Sequence, residues 1–169
     1  VGVAPLLIIA IGNPSRGDDA LGPALLDMLD AEGVQAEGTV ELLTDFQLQV
    51  EHALDLADRC AVLFVDAAWP GPTAVARPAA DGVTLTAITA DAAAPLSTHA
   101  LRPQAVLQVC ASLRQVAPPA WQLAIAGQSF ELGAPLSDTA RTHLVEALGM
   151  ARRWIEVTAP PARLLVQRE

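Results

Sequence analysis

Short apolar runs of strand length alternate along this chain with segments of helical periodicity. The alternation predicts an α/β fold: a three-layer αβα sandwich around a mostly parallel, mixed and twisted sheet of about five strands. The strongest runs are continuously apolar, as expected of strands covered by helices on both faces. Acidic residues follow two of them, one at the strand end and a pair in the next loop, where sheets of this class bind ligands beyond the carboxyl ends of the strands.

Leu6-Leu7-Ile8-Ile9-Ala10-Ile11 stops at Gly12-Asn13-Pro14, the pattern of a buried strand closed by turn residues. A polar loop, Ser15-Arg16-Gly17-Asp18-Asp19, follows. Leu21, Leu25, Met28 and Leu29 then recur at helical spacing over residues 19–29, and Gly33 is a stop signal. Residues 40–43 read as a second strand and 47–59 as a second helix. Residues 60–65 are the strongest strand in the chain and end at Asp66. Trp69-Pro70-Gly71-Pro72 marks a sharp turn, and residues 73–77 and 83–88 read as short strands around Asp81-Gly82. A helix is expected over 97–115 with Leu101, Val106, Leu107 and Cys110 inward and Pro103 in its first turns. Pro118-Pro119 precedes a strand at 121–126. The last helix spans 137–155, with Ser137 as N-cap and Arg152 and Arg153 suited to the negative end of its dipole.

The chain has 169 residues, of which 52% are apolar and 17% charged, so it can bury a core without staples. One domain over residues 1–158 is expected, with a tail at 159–169. The formal net charge is -9 and every Lys/Arg position is an arginine. An acidic chain without a basic run repels phosphate backbones and anionic lipid, which argues against nucleic acid and membrane as partners. The apolar run at residues 5–11 has no basic flank and is too short to span a bilayer, so it reads as a strand, and a cytoplasmic protein is expected. Cys60 and Cys110 lie in apolar stretches and read as reduced, buried thiols.

The candidate chemistry gathers at the carboxyl edge. Asp18 and Asp19 follow the first strand, Asp66 terminates the strand at 60–65, and His99 follows Ser97-Thr98. Two carboxylates and an imidazole, from Asp19, Asp66 and His99, form a ligand set for a borderline divalent ion such as zinc or nickel, with a position left for substrate or water. Each residue also has a plainer reading. One of the paired aspartates can cap a helix, Asp66 can serve a turn, and a lone histidine is most often a surface residue. His52 and His143, inside expected helices, are read as structural. Other chemistries lack their residues. The segment from Gly12 to Gly22 lacks the dinucleotide spacing of glycines. With no lysine there is neither a phosphate-binding Gly-Lys loop nor the lysine a phospho-acceptor receiver domain needs. No Gly-x-Ser-x-Gly elbow is present.

These residues resemble the [NiFe]-hydrogenase maturation proteases. The resemblance rests on Ile11-Gly12-Asn13-Pro14-Ser15-Arg16-Gly17-Asp18-Asp19-Ala20-Leu21-Gly22, on Phe64-Val65-Asp66-Ala67 and on Ser97-Thr98-His99-Ala100-Leu101. Gln47-Leu48 with Glu51, and Gly127-Gln128-Ser129-Phe130-Glu131, add weaker echoes. The resemblance implies an aspartyl-type endopeptidase that removes the C-terminal extension of a [NiFe]-hydrogenase large-subunit precursor after nickel insertion. Asp19, Asp66 and His99 match the family's metal-site positions. The nickel they recognise would be carried by the substrate, with zinc or cadmium as substitutes in vitro. Many members carry glutamate where this chain has Asp19. Thr44-Asp45-Phe46-Gln47-Leu48, in place of an Asp-Gly-Gly stretch, is similar to the branch serving soluble, NAD-linked bidirectional hydrogenases. A monomer is expected. Asp18, beside the site, is assigned either an orienting or a general-base role. Two alternatives stay open: a non-catalytic chaperone module that docks on a metalloprotein, and a zinc-dependent amidohydrolase or peptidase with its own metal.

Overall fold

A computed structural model describes residues 3–69, 82–94, 101–114 and 116–161. The unbroken apolar runs form the middle of its sheet. β1 (Leu6–Ile11) and β3 (Ala61–Ala68) lie side by side, flanked by β2 (Val40–Asp45) and by β5 (Ala120–Ala126). β4 (Val83–Ile88) closes the far edge, giving the order β2-β1-β3-β5-β4. All neighbours are parallel except β4 and β5, so the sheet is mixed, as the alternation predicted.

Successive residues of the central strands point to opposite layers. Leu6, Ile8, Ala10, Leu63 and Val65 join a core with α1 (Leu21–Ala31) and α4 (Asp138–Thr158). Leu7, Ile9, Val62 and Phe64 join a second core with α2 (His52–Asp55) and α3 (Pro103–Arg114). Helices therefore cover both faces, which is why these strands tolerate no polar alternation. Trp121 of β5 meets Trp154 of α4 edge to face, with ring centroids 6.0 Å apart.

The structure moves several expected boundaries. β3 runs on through Asp66 to Ala68, because its ladder with β5 continues to the Ala68–Ala126 pair; Asp66 lies within the strand, where the sequence placed it at the end. The first helix begins at Leu21, after a separate 3₁₀ turn at Gly17–Ala20 that carries both aspartates. The helix expected over 47–59 contracts to α2. The His52 imidazole takes up the Gln49 N–H at its start, and Asp58 adopts a positive φ of 64° past its end. α3 starts at Pro103, and Leu101 and Arg102 are not helical. Proline is favoured at the first helical position and keeps the preceding residue out of helical conformation, so it opens this helix instead of sitting inside it. α4 runs on to Thr158, past the expected end at 155, so Arg152 lies before its last turn. Its Nε donates to Glu32 Oε2 at 2.9 Å and its Nη2 contacts the second oxygen, joining α4 to the end of α1. Cys110 is buried but Cys60 is exposed, contrary to expectation. The strand at 73–77, the Pro70–Pro72 part of the turn, Asp81, residues 97–100, Gln115 and the tail from 162 lie outside the described residues. Among those described, no helix is long and apolar enough to cross a membrane.

Candidate active site

The chain leaves β1 through α1 to reach β2 on one side, then crosses to β3 on the other. This reversal makes the carboxyl ends of β1 and β3 the switch point of the sheet, where open α/β folds form their ligand crevice. Asp19 follows β1 and Asp66 lies near the end of β3, so both belong to that crevice.

Asp19 is half-buried in the 3₁₀ turn, and its Oδ2 accepts the Asn13 backbone N–H at 2.9 Å. The turn approaches β1 closely at Gly12. That residue has φ +151°, and a Cβ there would stand 1.9 Å from the Asp19 carbonyl oxygen. The Gly-Asn turn thus sets the position of Asp19: glycine admits its backbone and the next N–H holds its carboxylate.

Asp66 shares the face of β3 that carries Val62 and Phe64, toward the α2–α3 layer. Burial pushes its carboxyl up to about 7. The Ala67 N–H partly offsets this, and the charge of Asp19 raises it further. A carboxyl raised by desolvation and by a like charge is favoured in its ionised form by a nearby cation. Of the three expected ligands, Asp19 and Asp66 lie at the carboxyl ends of β1 and β3, and His99 lies outside the described residues.

Asp18 has a different environment from its neighbour. Its side chain is fully buried and turned to the segment between β5 and α4. Oδ2 accepts the N–H groups of Gln128 at 2.6 Å and Ser129 at 2.9 Å and the Ser137 hydroxyl at 2.7 Å. Oδ1 accepts the Ser137 N–H at 2.7 Å. Burial alone would raise this carboxyl, but the hydrogen bonds outweigh it and hold it below its ordinary value. Of the two roles open to Asp18, the geometry favours orientation. A carboxylate saturated by four donors and held ionised is poorly suited to collect a proton from water. Ser137 also caps α4, its hydroxyl accepting the Ala140 N–H at 3.1 Å, so one aspartate links the acidic turn, the β5–α4 segment and the start of α4.

A third acid ends β2. Asp45 pairs with Ile11 on one side of β1, while on the other side the ladder with β3 ends at Ala10–Val65, one residue before Asp66. The buried His52 accepts the Gln49 N–H on Nδ1 at 2.8 Å, which leaves Nε2 as its protonated nitrogen, 3.3 Å from Asp45 Oδ2. His52 is thus structural, as read, but it holds an edge acid. His143 is structural too: its Nδ1 reaches the carbonyl of Ala126 at the end of β5, 2.8 Å away.

Sequence reasoning passed over one feature of this edge. Trp69, the residue after β3, contacts Phe130 with ring centroids 4.7 Å apart and an interplanar angle of 49°. A lone tryptophan beside a proline-rich turn carries no periodicity that could have singled it out.

No family model and no curated protein sequence matches the chain. Solved structures do. The hydrogenase maturating endopeptidase HybD from Escherichia coli superposes with a TM-score of 0.67 at 18% identity, covering 90% of this chain and 92% of that one. The [NiFe] hydrogenase maturation protease HycI from Thermococcus kodakarensis gives 0.65 at 20% identity over 92% and 94%. HybD from the same organism gives 0.62 at 17% identity over 88% and 97%. Matched over nearly the full length of each, with its acids at the switch point of the shared sheet, this chain has the fold of the hydrogenase maturation endopeptidases.

Proposed function

We propose that this chain is an endopeptidase of the hydrogenase maturation type. It removes the C-terminal extension of a [NiFe]-hydrogenase large-subunit precursor after nickel has been inserted. The observation that supports this reading is the placement of Asp19 after β1 and of Asp66 near the end of β3, at the switch point of a fold shared with proteins named as such proteases. Two carboxylates that repel one another call for a cation, and the substrate's own nickel supplies one. His99 completes the set as a nitrogen donor. It precedes α3, a helix that covers the face of the sheet Asp66 shares, which supports its reaching the same crevice.

Direct hydrolysis of a peptide bond needs an activated water and a polarised carbonyl, and a divalent ion at the scissile bond favours both. Asp19 and Asp66 hold the substrate's metal through ionised oxygens, and Asn13 and Asp18 fix the turn that presents Asp19. Recognition of nickel would make cleavage conditional on a completed metal centre. The stretch from Thr44 to Leu48 favours a precursor from the soluble, NAD-linked bidirectional hydrogenases. We place the enzyme in the cytoplasm as a monomer.

The test is a processing assay with purified protein and precursor, loaded with nickel or not. The expected result is a shortened large subunit from the nickel-loaded precursor alone. His99→Ala should stay folded and process at least about a hundredfold more slowly, the scale of losing a group that stabilises developing charge. A stable complex without cleavage would support the docking module instead. Stoichiometric zinc in the isolated protein, with cleavage indifferent to nickel, would support the zinc hydrolase.

A further inference from the structure

We infer that Trp69 and Phe130 form an aromatic shelf that binds an apolar side chain of the substrate peptide beside its scissile bond. This rests on the endopeptidase reading above and assigns it a specificity subsite.

Trp69 stands three residues beyond Asp66, at the carboxyl edge of β3, and is 60% exposed. A single exposed apolar residue is ordinary on a protein surface. Trp69 differs because its ring is held against Phe130 and because the partner is itself locked in place. Phe130 lies over Gly127, where a Cβ would come within 2.6 Å of Phe130 Cζ and 2.8 Å of Asp18 Cβ. The Gly127 N–H donates to the Ala68 carbonyl at 3.0 Å, tying this segment to the residue before Trp69. Asp18 holds the same segment at Gln128 and Ser129. The shelf is therefore built from the two segments that carry or brace the acid pair, and its orientation is set before any ligand arrives.

A preorganised aromatic surface loses little conformational freedom on binding, and such residues dominate recognition hot spots. The occupant follows from position. A peptide whose scissile bond lies at the acids must lay its neighbouring residues along this edge. A tilted indole and phenyl pair offers an apolar chain a dry surface. An acidic side chain would meet repulsion from Asp19 and Asp66.

Two measurements on the full chain test this. In the processing assay, Trp69→Ala should raise KM for the nickel-loaded precursor about tenfold with kcat little changed, the signature of lost uniform binding. Trp69→Phe should restore most of the affinity. Independently, a synthetic peptide spanning the precursor's cleavage region should shield the Trp69 indole from acrylamide quenching. Alanine at that peptide's apolar residues should abolish the shielding. Normal cleavage with unchanged KM in Trp69→Ala, and no shielding, would overturn the shelf and leave the protease. Shielding without cleavage by the wild-type protein would keep the shelf as a peptide-binding surface and remove the protease. Neither cleavage nor shielding would overturn both.

Discussion

At the scale of single residues, two adjacent aspartates and a strand acid show how environment divides like groups into different roles. Asp66 keeps its proton to about pH 7 in the folded chain, whereas its ordinary value is 3.8. Between those values the folded state binds more protons than the unfolded one, so this group lowers stability as pH rises. Asp66→Asn should therefore match the wild type near pH 4, gain on it up to about pH 7, and then hold that advantage. The gain should reach about 1–3 kcal/mol, since partial solvent contact screens the charge. Calorimetric melting temperatures of both proteins across that range provide the check; a constant difference would exclude it. Asp18 has the opposite sign. Its carboxyl is held down by hydrogen bonds, so its contribution is present above the ordinary carboxylate value and lost as pH falls through the folded one. Asp18→Asn turns one acceptor into a donor facing N–H groups, and should cost about 2–4 kcal/mol at neutral pH by urea denaturation.

At the scale of elements, the Gly12-Asn13 turn decides where the site begins. A side chain at position 12 would meet the Asp19 carbonyl oxygen, which belongs to backbone and cannot rotate away. Gly12→Ala must therefore shift the 3₁₀ turn. If Asp19 holds the substrate's metal as proposed, displacing its carboxylate by about 1 Å is enough to lose about a hundredfold in rate. The expected result is a helical circular dichroism spectrum close to wild type, with processing of the nickel-loaded precursor reduced by about that factor. By contrast, the Arg152–Glu32 pair between α4 and α1 is solvent-facing and carries little of the fold's stability.

At the scale of the molecule, one sheet serves two cores. Phe64 belongs to the α2–α3 layer and Trp154 to the α1–α4 layer, on opposite faces of the sheet. If the layers unfold together, a cavity in one must be felt in the other. Phe64→Ala should cost about 3–5 kcal/mol. It should move the denaturation midpoint reported by Trp154 fluorescence, in a background with Trp69 and Trp121 replaced by phenylalanine, as far as it moves the midpoint by circular dichroism. A Trp154 transition left in place would mean that the layers unfold independently.

Much of this architecture was legible in the chain. Continuous apolar runs marked β1 and β3, their lack of alternation required helices on both faces, and a serine before an amphipathic stretch marked the start of α4. Asp66 was legible as an acid closing a buried run, and Asp19 as one of two acids in the polar loop that follows the first strand. These are local signals, fixed by side-chain periodicity and by the desolvation cost of an unpaired charge. The separation of Asp18 from Asp19 was not legible, since it depends on donors that lie about 110 residues away in the chain. The same is true of the continuation of β3 past Asp66, which the ladder with β5 decides, and of the meeting of Trp69 with Phe130. Sequence determined most of the strands and helices and placed Asp19 after β1 and Asp66 toward the end of β3. Tertiary structure alone decided which of those groups touch, because a hydrogen bond or a ring contact depends on distance in space, and distance along the chain does not set it.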